Sequence, residues 1–196
     1  MLLWGRRINI KDTADTPVLQ QTLDRLEPEH TQQTEPDVIL RVAGWGWIFI
    51  EAKLSSPTST YADKREKLKS WIERYADASP GLFASAVLQA ADASRFPEQL
   101  LRNVAVANAV RDGDERAVVV ALVREQYAEA VNGWAGTYLA PDAPVSTRSA
   151  TWEQLYDALP ATDARLATLR DYMWNKSAGL RPAFRLDQAS GSPQAR

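Results

Sequence analysis

Between Glu35 and Pro57 the chain reads EPDVILRVAGWGWIFIEAKLSSP, two apolar stretches joined by a glycine-containing turn. Three charged residues near the open ends of this segment, Asp37, Glu51 and Lys53, have the types and spacing to do chemistry. Side chains alternate between faces along an extended strand. Trp47, Phe49, Glu51 and Lys53 therefore share one face of the second stretch, and Asp37, Ile39 and Arg41 share one face of the first. A turn with an odd number of residues brings these two faces together. Centred on Gly44, it sets Asp37 opposite Glu51; centred on Trp45, it sets Asp37 opposite Lys53. An even turn would carry Asp37 to the other face. Directly opposed Cβ atoms lie about 4.5–5.5 Å apart, close enough for two carboxylates to share one cation.

Charges in an apolar hairpin must be paired or must hold a metal. An ion pair between Lys53 and one carboxylate would leave the other acid over, and buried pairs seldom add net stability. A hard divalent cation accommodates both acids. Mg2+ takes one or two carboxylates, keeps several waters, and fills its shell with carbonyl and phosphate oxygens. The expected ligands are Asp37, Glu51 and the Ala52 carbonyl, with Mn2+ able to substitute. Such a metal acidifies water and offsets charge on a phosphodiester. Lys53 would orient the attacking water, stabilise negative charge developing on the phosphate, or act as a general base with a lowered pKa.

The elements that must position these residues follow from pattern. Thr16-Pro17 reads as a helix start, and Val18, Leu19, Leu23 and Leu26 recur at helical spacing as far as Pro28. Leu68, Trp71, Ile72 and Tyr75 mark the buried stripe of a helix over about 60–77. Another helix is expected from Pro97 to Arg111, with Leu100, Leu101, Val104 and Ala107 inward. Residues 82–91 fit strand or helix equally. AVVVALV at 117–123 reads as a strand buried on both faces. A short strand is expected near Val145, then helices at 152–158 and 162–176, the first opened by Thr151 as cap. Residues 1–12 fit a strand or an irregular arm. The expected fold is α/β: a central mixed sheet built on the antiparallel hairpin and flanked by helices. We expect one domain over residues 1–187 and a disordered tail over 188–196.

Pro36-Asp37 and Glu51-Ala52-Lys53 resemble the signature of the PD-(D/E)xK nuclease superfamily, the restriction-endonuclease-like fold. That family's core is a helix, a three-stranded meander, a helix and a further strand, with the active site on the second and third core strands. The resemblance covers about the first two-thirds of the chain. It implies a metal-dependent nuclease, with Asp37 and Glu51 as metal ligands and Lys53 as the catalytic lysine, acting on DNA rather than RNA. Many relatives add an acid from the first core helix, for which Glu27 and Glu29 are the nearby candidates. Others place a Gln or Arg from a later helix near the phosphate, a position that Gln99 or Arg102 would fill. The alternative is a non-catalytic nucleic-acid-binding or adaptor protein that keeps the fold.

Composition narrows the rest. The 196 residues suffice for one core and carry a formal net charge of −2, so there is no global basic footprint. A partner, a second copy of the chain or a larger complex would then complete a binding groove. Lys64, Lys67 and Arg74 follow the hairpin and suit phosphate contacts, although a solvated helix face explains them equally. Trp45 and Trp47 suit base stacking or, as the simpler reading, core packing. The absence of cysteine excludes disulfides and thiolate metal sites. A single histidine, His30, makes a zinc site or a Ser-His-Asp triad unlike this chain. There is no GxxxxGK loop for an ATPase. No apolar run is long enough to span a membrane, and a cytoplasmic location is expected.

Overall fold

The computed structural model describes residues 2–4, 15–27, 36–53, 65–87, 97–167 and 169–170. His30, Glu29, Lys64 and the C-terminal tail lie outside the described residues. Strand β1 (Leu2–Trp4) is followed by helix α1 (Asp15–Leu26), the hairpin β2 (Val38–Val42) and β3 (Gly46–Ala52), and helix α2 (Arg65–Ala78). Helix α3 (Glu98–Val110), strand β4 (Arg116–Val123), helices α4 (Glu125–Val131) and α5 (Trp134–Tyr138), strand β5 (Val145–Thr151) and helix α6 (Trp152–Ala158) complete the order. The five strands form one sheet in the order β1-β2-β3-β4-β5. The β1–β2 and β2–β3 pairs are antiparallel. Arg116 N–H donates to the Trp45 carbonyl at 3.1 Å and Lys53 N–H to the Leu122 carbonyl at 2.8 Å, so β4 runs parallel to β3. The sheet is mixed, as the hairpin and the β-branched run at 117–123 imply.

Two compact units are formed, one from Met1–Ala52, Thr58–Ala121 and Asn132–Arg148, the other from Lys53–Pro57, Leu122–Val131 and Ser149–Arg196. In the first, α3 packs on β3 and on α1, and α1 also meets α2. The core is built by the stripes that helical and strand periodicity define. Leu19, Leu23 and Leu26 of α1, Ile72 and Tyr75 of α2, and Leu100, Leu101, Val104 and Ala107 of α3 are buried. From the sheet, Ile39, Trp47, Phe49, Ala117, Val119 and Ala121 join them. Each fully buried large side chain contributes about 1.5–3 kcal/mol, and Leu101→Ala should cost about 2–5 kcal/mol. Trp47 is thus a core residue, its ring 6.3 Å from that of Phe49. In β4 the burial alternates, with Val118 and Val120 only half-buried, so one face is sealed more fully than the other.

In the second unit, α6 opens with a capping box. The Thr151 hydroxyl accepts from Gln154 N–H and the Gln154 side chain accepts from Thr151 N–H, each at 3.0 Å. Two short helices stand where no helix was expected from the sequence, Glu125–Val131 in this unit and Trp134–Tyr138 in the first. Within 162–176, the described part contains a 3-10 turn at Ala164–Leu166. Among the described residues, no helix is long and apolar enough to cross a membrane.

Candidate active site at the open end of the hairpin

The turn between β2 and β3 decides which residues meet. Val42 pairs with Gly46, so the loop is the three residues Ala43, Gly44 and Trp45, with Gly44 at its centre. Gly44 has φ of +70°, a conformation that favours glycine. Gly46 is required for a second reason as well as its φ of +142°: a Cβ there would lie 1.8 Å from the Arg116 carbonyl oxygen, where β4 begins beside β3. Both glycines of the turn are therefore explained by backbone geometry.

The odd loop fixes the faces. Arg41 opposes Trp47, Ile39 opposes Phe49, and Val38 opposes Ile50. One step further along this register sets Asp37 opposite Glu51. The shared face has an apolar middle, Ile39 with Trp47 and Phe49, and charged ends. At the turn end, the Arg41 guanidinium lies 4.8 Å over the Trp47 ring and pairs with Glu115, the residue before β4. At the open end stand Asp37, half-buried, and Glu51, 3% exposed.

Each carboxylate at the open end is tethered by an amide. Asp37 Oδ2 accepts from the backbone N–H of Ala52 at 2.6 Å, so its side chain supplies the acceptor just past the last backbone pair. Glu51 Oε2 accepts from Nδ2 of Asn103 at 3.1 Å, a residue of α3 with no exposed surface. Amide donors orient a carboxylate without neutralising it. In a strand, the N–H and C=O of one residue point to the same edge. The Ala52 carbonyl therefore faces the β2 edge, the side of Asp37. Lys53, next in the chain, is half-buried. Its backbone is held by the Leu122 bond and by Trp152, whose Nε1 donates to the Lys53 carbonyl at 3.3 Å.

The other candidates lie on or just after the helices. Glu27 follows α1, its N–H still bonded to the Leu23 carbonyl at 2.7 Å, and is 4% exposed. It accepts from Arg102 Nε at 3.0 Å and Nη2 at 2.7 Å, and from the Tyr75 hydroxyl. Arg102 also reaches Glu98 at 3.5 Å, so its guanidinium is committed within the helical layer rather than extended to solvent. Gln99 is half-buried on α3, Lys67 lies on α2, and Arg74 is an exposed residue of α2. Among the described residues, no group of three or more His, Cys, Asp or Glu side chains converges.

Sequence reasoning did not single out Asn103, Trp152 or the Arg41–Glu115 pair. For Asn103 a signal existed: it is the one amide inside LLRNVAVA, between Leu100 and Val104 on the expected inner face of the helix. A buried polar group in such a stripe must have a partner. For Trp152 and Glu115 no local pattern points to the contact.

The α/β sheet, its mixed strand directions and the flanking helices make this a restriction-endonuclease-like fold. A family model described as restriction endonuclease associating with ARP matches residues 2–176, and the chain belongs to that family. No curated protein and no solved structure gives a significant match.

Proposed function

We propose that the chain is a divalent-metal-dependent nuclease that hydrolyses phosphodiester bonds in DNA. Asp37 and Glu51 hold Mg2+ with the Ala52 carbonyl, and Lys53 acts beside the scissile phosphate. The observation that carries this reading is the register of the hairpin, which sets Asp37 across from Glu51 while the Ala52 amide anchors Asp37. The family match supports a nuclease, and its description supports DNA as substrate and an ARP protein as associate.

The donor set suits the metal. Two carboxylates and one carbonyl are hard oxygen ligands, the number that Mg2+ draws from protein while retaining water and phosphate oxygens. Zinc would want histidine or thiolate donors, and the chain has no cysteine and one histidine. When bound, Mg2+ would lower the pKa of water and offset charge on the phosphate. The residues of the chain do the rest. Asn103 and the Ala52 amide hold the two carboxylates in place. Lys53, two residues beyond Glu51, orients the water or meets the charge that develops on the phosphate. Water oxygen joins phosphorus, the bond to the leaving oxygen breaks, and that oxygen takes a proton. Basic residues of α2, Lys67 and Arg74, supply phosphate contacts, with a second copy or the ARP protein completing the groove.

The test is cleavage of mixed DNA and RNA substrates with Mg2+ or Mn2+. Asp37→Ala and Lys53→Ala should each lower the rate by about a hundredfold or more. Wild-type protein that binds Mn2+ through Asp37 but cleaves nothing would identify a non-catalytic binding module. Unchanged behaviour in both variants would leave the charges of the hairpin as a structural ion cluster.

A further inference from the structure

We infer that Asn103 is a positioning residue of the metal site: its side-chain amide fixes the Glu51 carboxylate and thereby sets the affinity for a divalent cation. The inference rests on the proposed metal site at Asp37 and Glu51. Three observations carry it. Asn103 is fully buried in mid-helix, between the equally buried Leu101 and Val104, so it cannot turn to solvent. Its Nδ2 donates to Glu51 Oε2 at 3.1 Å, joining α3 to β3 across 52 residues of sequence. Its Oδ1 has no hydrogen-bond partner among the described residues.

The last point distinguishes a positioning role from a merely structural one. A buried amide placed for its own satisfaction would have both ends bonded. Here one end is bonded and the other is not, and beside an ionised Glu51 the amide does not reverse. Reversal would bring Oδ1 against Glu51 Oε2, two acceptors in contact. A Glu51 carboxylate ionised to hold a cation, which can only accept, therefore dictates the orientation of the amide. The bond from Asn103 fixes one oxygen of the Glu51 carboxylate in direction. Groups that orient metal ligands in this way typically set affinity by about 10–100-fold.

The experiment is Mn2+ titration of the full chain without nucleic acid, read by calorimetry, with thermal melting run in parallel. The variants are Asn103→Leu, Asn103→Thr and Val104→Ala. Asn103→Leu keeps the volume and removes the donor; it should weaken Mn2+ binding about tenfold or more. Asn103→Thr keeps a hydroxyl donor and a folded core should Asn103→Leu fail to fold; its affinity should fall between wild type and Asn103→Leu. Val104→Ala, a neighbouring core cavity, should lower the melting temperature and leave Mn2+ affinity unchanged. Wild-type affinity in folded Asn103→Leu, or in Asn103→Thr if that alone folds, would overturn the inference and leave the metal site standing. An equal loss in Val104→Ala would also overturn it, by showing that general loosening of α3 is enough. Absence of Mn2+ binding in wild type would remove the metal site itself, and this inference with it.

Discussion

Two glutamates of nearly equal burial, Glu27 at 4% and Glu51 at 3% exposure, are answered in opposite ways by consecutive residues of one helix. Arg102 of α3 donates twice to Glu27, and Tyr75 of α2 adds a third hydrogen bond. Asn103, the next residue, donates to Glu51. Successive helical residues point about 100° apart, so α3 can serve α1 with one and β3 with the other. It packs against both. The Glu27 end joins three helices through the Arg102 guanidinium and the Tyr75 hydroxyl. The Glu51 end receives the neutral Asn103 amide from α3, beside a second carboxylate one strand away. A carboxylate matched by arginine has little left to offer a metal; the Asn103 amide orients Glu51 without bringing a charge of its own.

That contrast breaks most visibly at Glu27. Removing it leaves the Arg102 guanidinium, 14% exposed, without its main partner. Loss of one member of a buried pair costs about 3–5 kcal/mol, so Glu27→Leu should lower the urea midpoint strongly. Mn2+ binding by the surviving folded fraction should be unchanged. If Glu27→Leu instead abolishes Mn2+ binding at little cost in stability, Glu27 belongs with the metal ligands and the two glutamates are not different in kind.

Glu51→Gln should behave in the reverse way. Catalysis should fall by about a hundredfold or more, which is about 2.7 kcal/mol of transition-state stabilisation. Folding stability should stay within about 1 kcal/mol of wild type, because a buried charge is exchanged for a neutral group of the same shape. Chemical denaturation beside a DNA-cleavage assay separates the two effects. A smaller change sharpens the Glu27 side. Glu27→Leu combined with Arg102→Met removes both charges, and apolar replacement of a whole buried pair is often neutral. The double variant should therefore recover part of the stability lost in the single one, the rest reflecting the Arg102 contact that Glu98 also loses.

The two ends of this contrast were not equally legible in the sequence. Side-chain alternation has a period of two, so the shared face of Asp37, Ile39 and Arg41 with Trp47, Phe49 and Glu51 needed only the parity of the turn. The two glycines limited where that turn could centre, and Gly44 at its centre is one of the two expected solutions. The helices that carry α3, α1 and α2 were visible because each spans twelve or more residues and shows its apolar stripe. Helices α4 and α5, of seven and five residues, are too short for a period of 3.6 to stand out. The partners of Glu27 and Glu51 lie 75 and 52 residues away along the chain. No local pattern chooses between Arg102 and Asn103 as donors, because that choice is made by how α3 is rotated on the sheet.

The turn end of the hairpin offers the mildest test, with a third acid that is paired but near solvent. Arg41 and Glu115 side chains are 20% and 27% exposed. Burial pushes the Glu115 carboxyl up, but the Arg41 hydrogen bond, the Asp112 N–H at 3.2 Å and the Arg41 charge together outweigh it and hold the carboxyl below 4.5. A carboxyl depressed in the folded state contributes stability that is present above the unfolded value and lost as pH falls through the folded one. The loss therefore begins below about pH 4.5. Solvent screening keeps such a pair to about 0.2–1 kcal/mol. Glu115→Gln should lower stability by no more than that at pH 7 and not at all once the carboxyl is protonated, so the two proteins converge in acid. Urea unfolding at pH 7 and at a series of pH values falling from 4.5 follows the convergence. A loss at pH 7 as large as that of Glu27→Leu would mean that partner charge alone, irrespective of burial, sets the worth of a carboxylate in this fold, and the distinction between Glu27 and Glu51 would then have to rest on geometry instead.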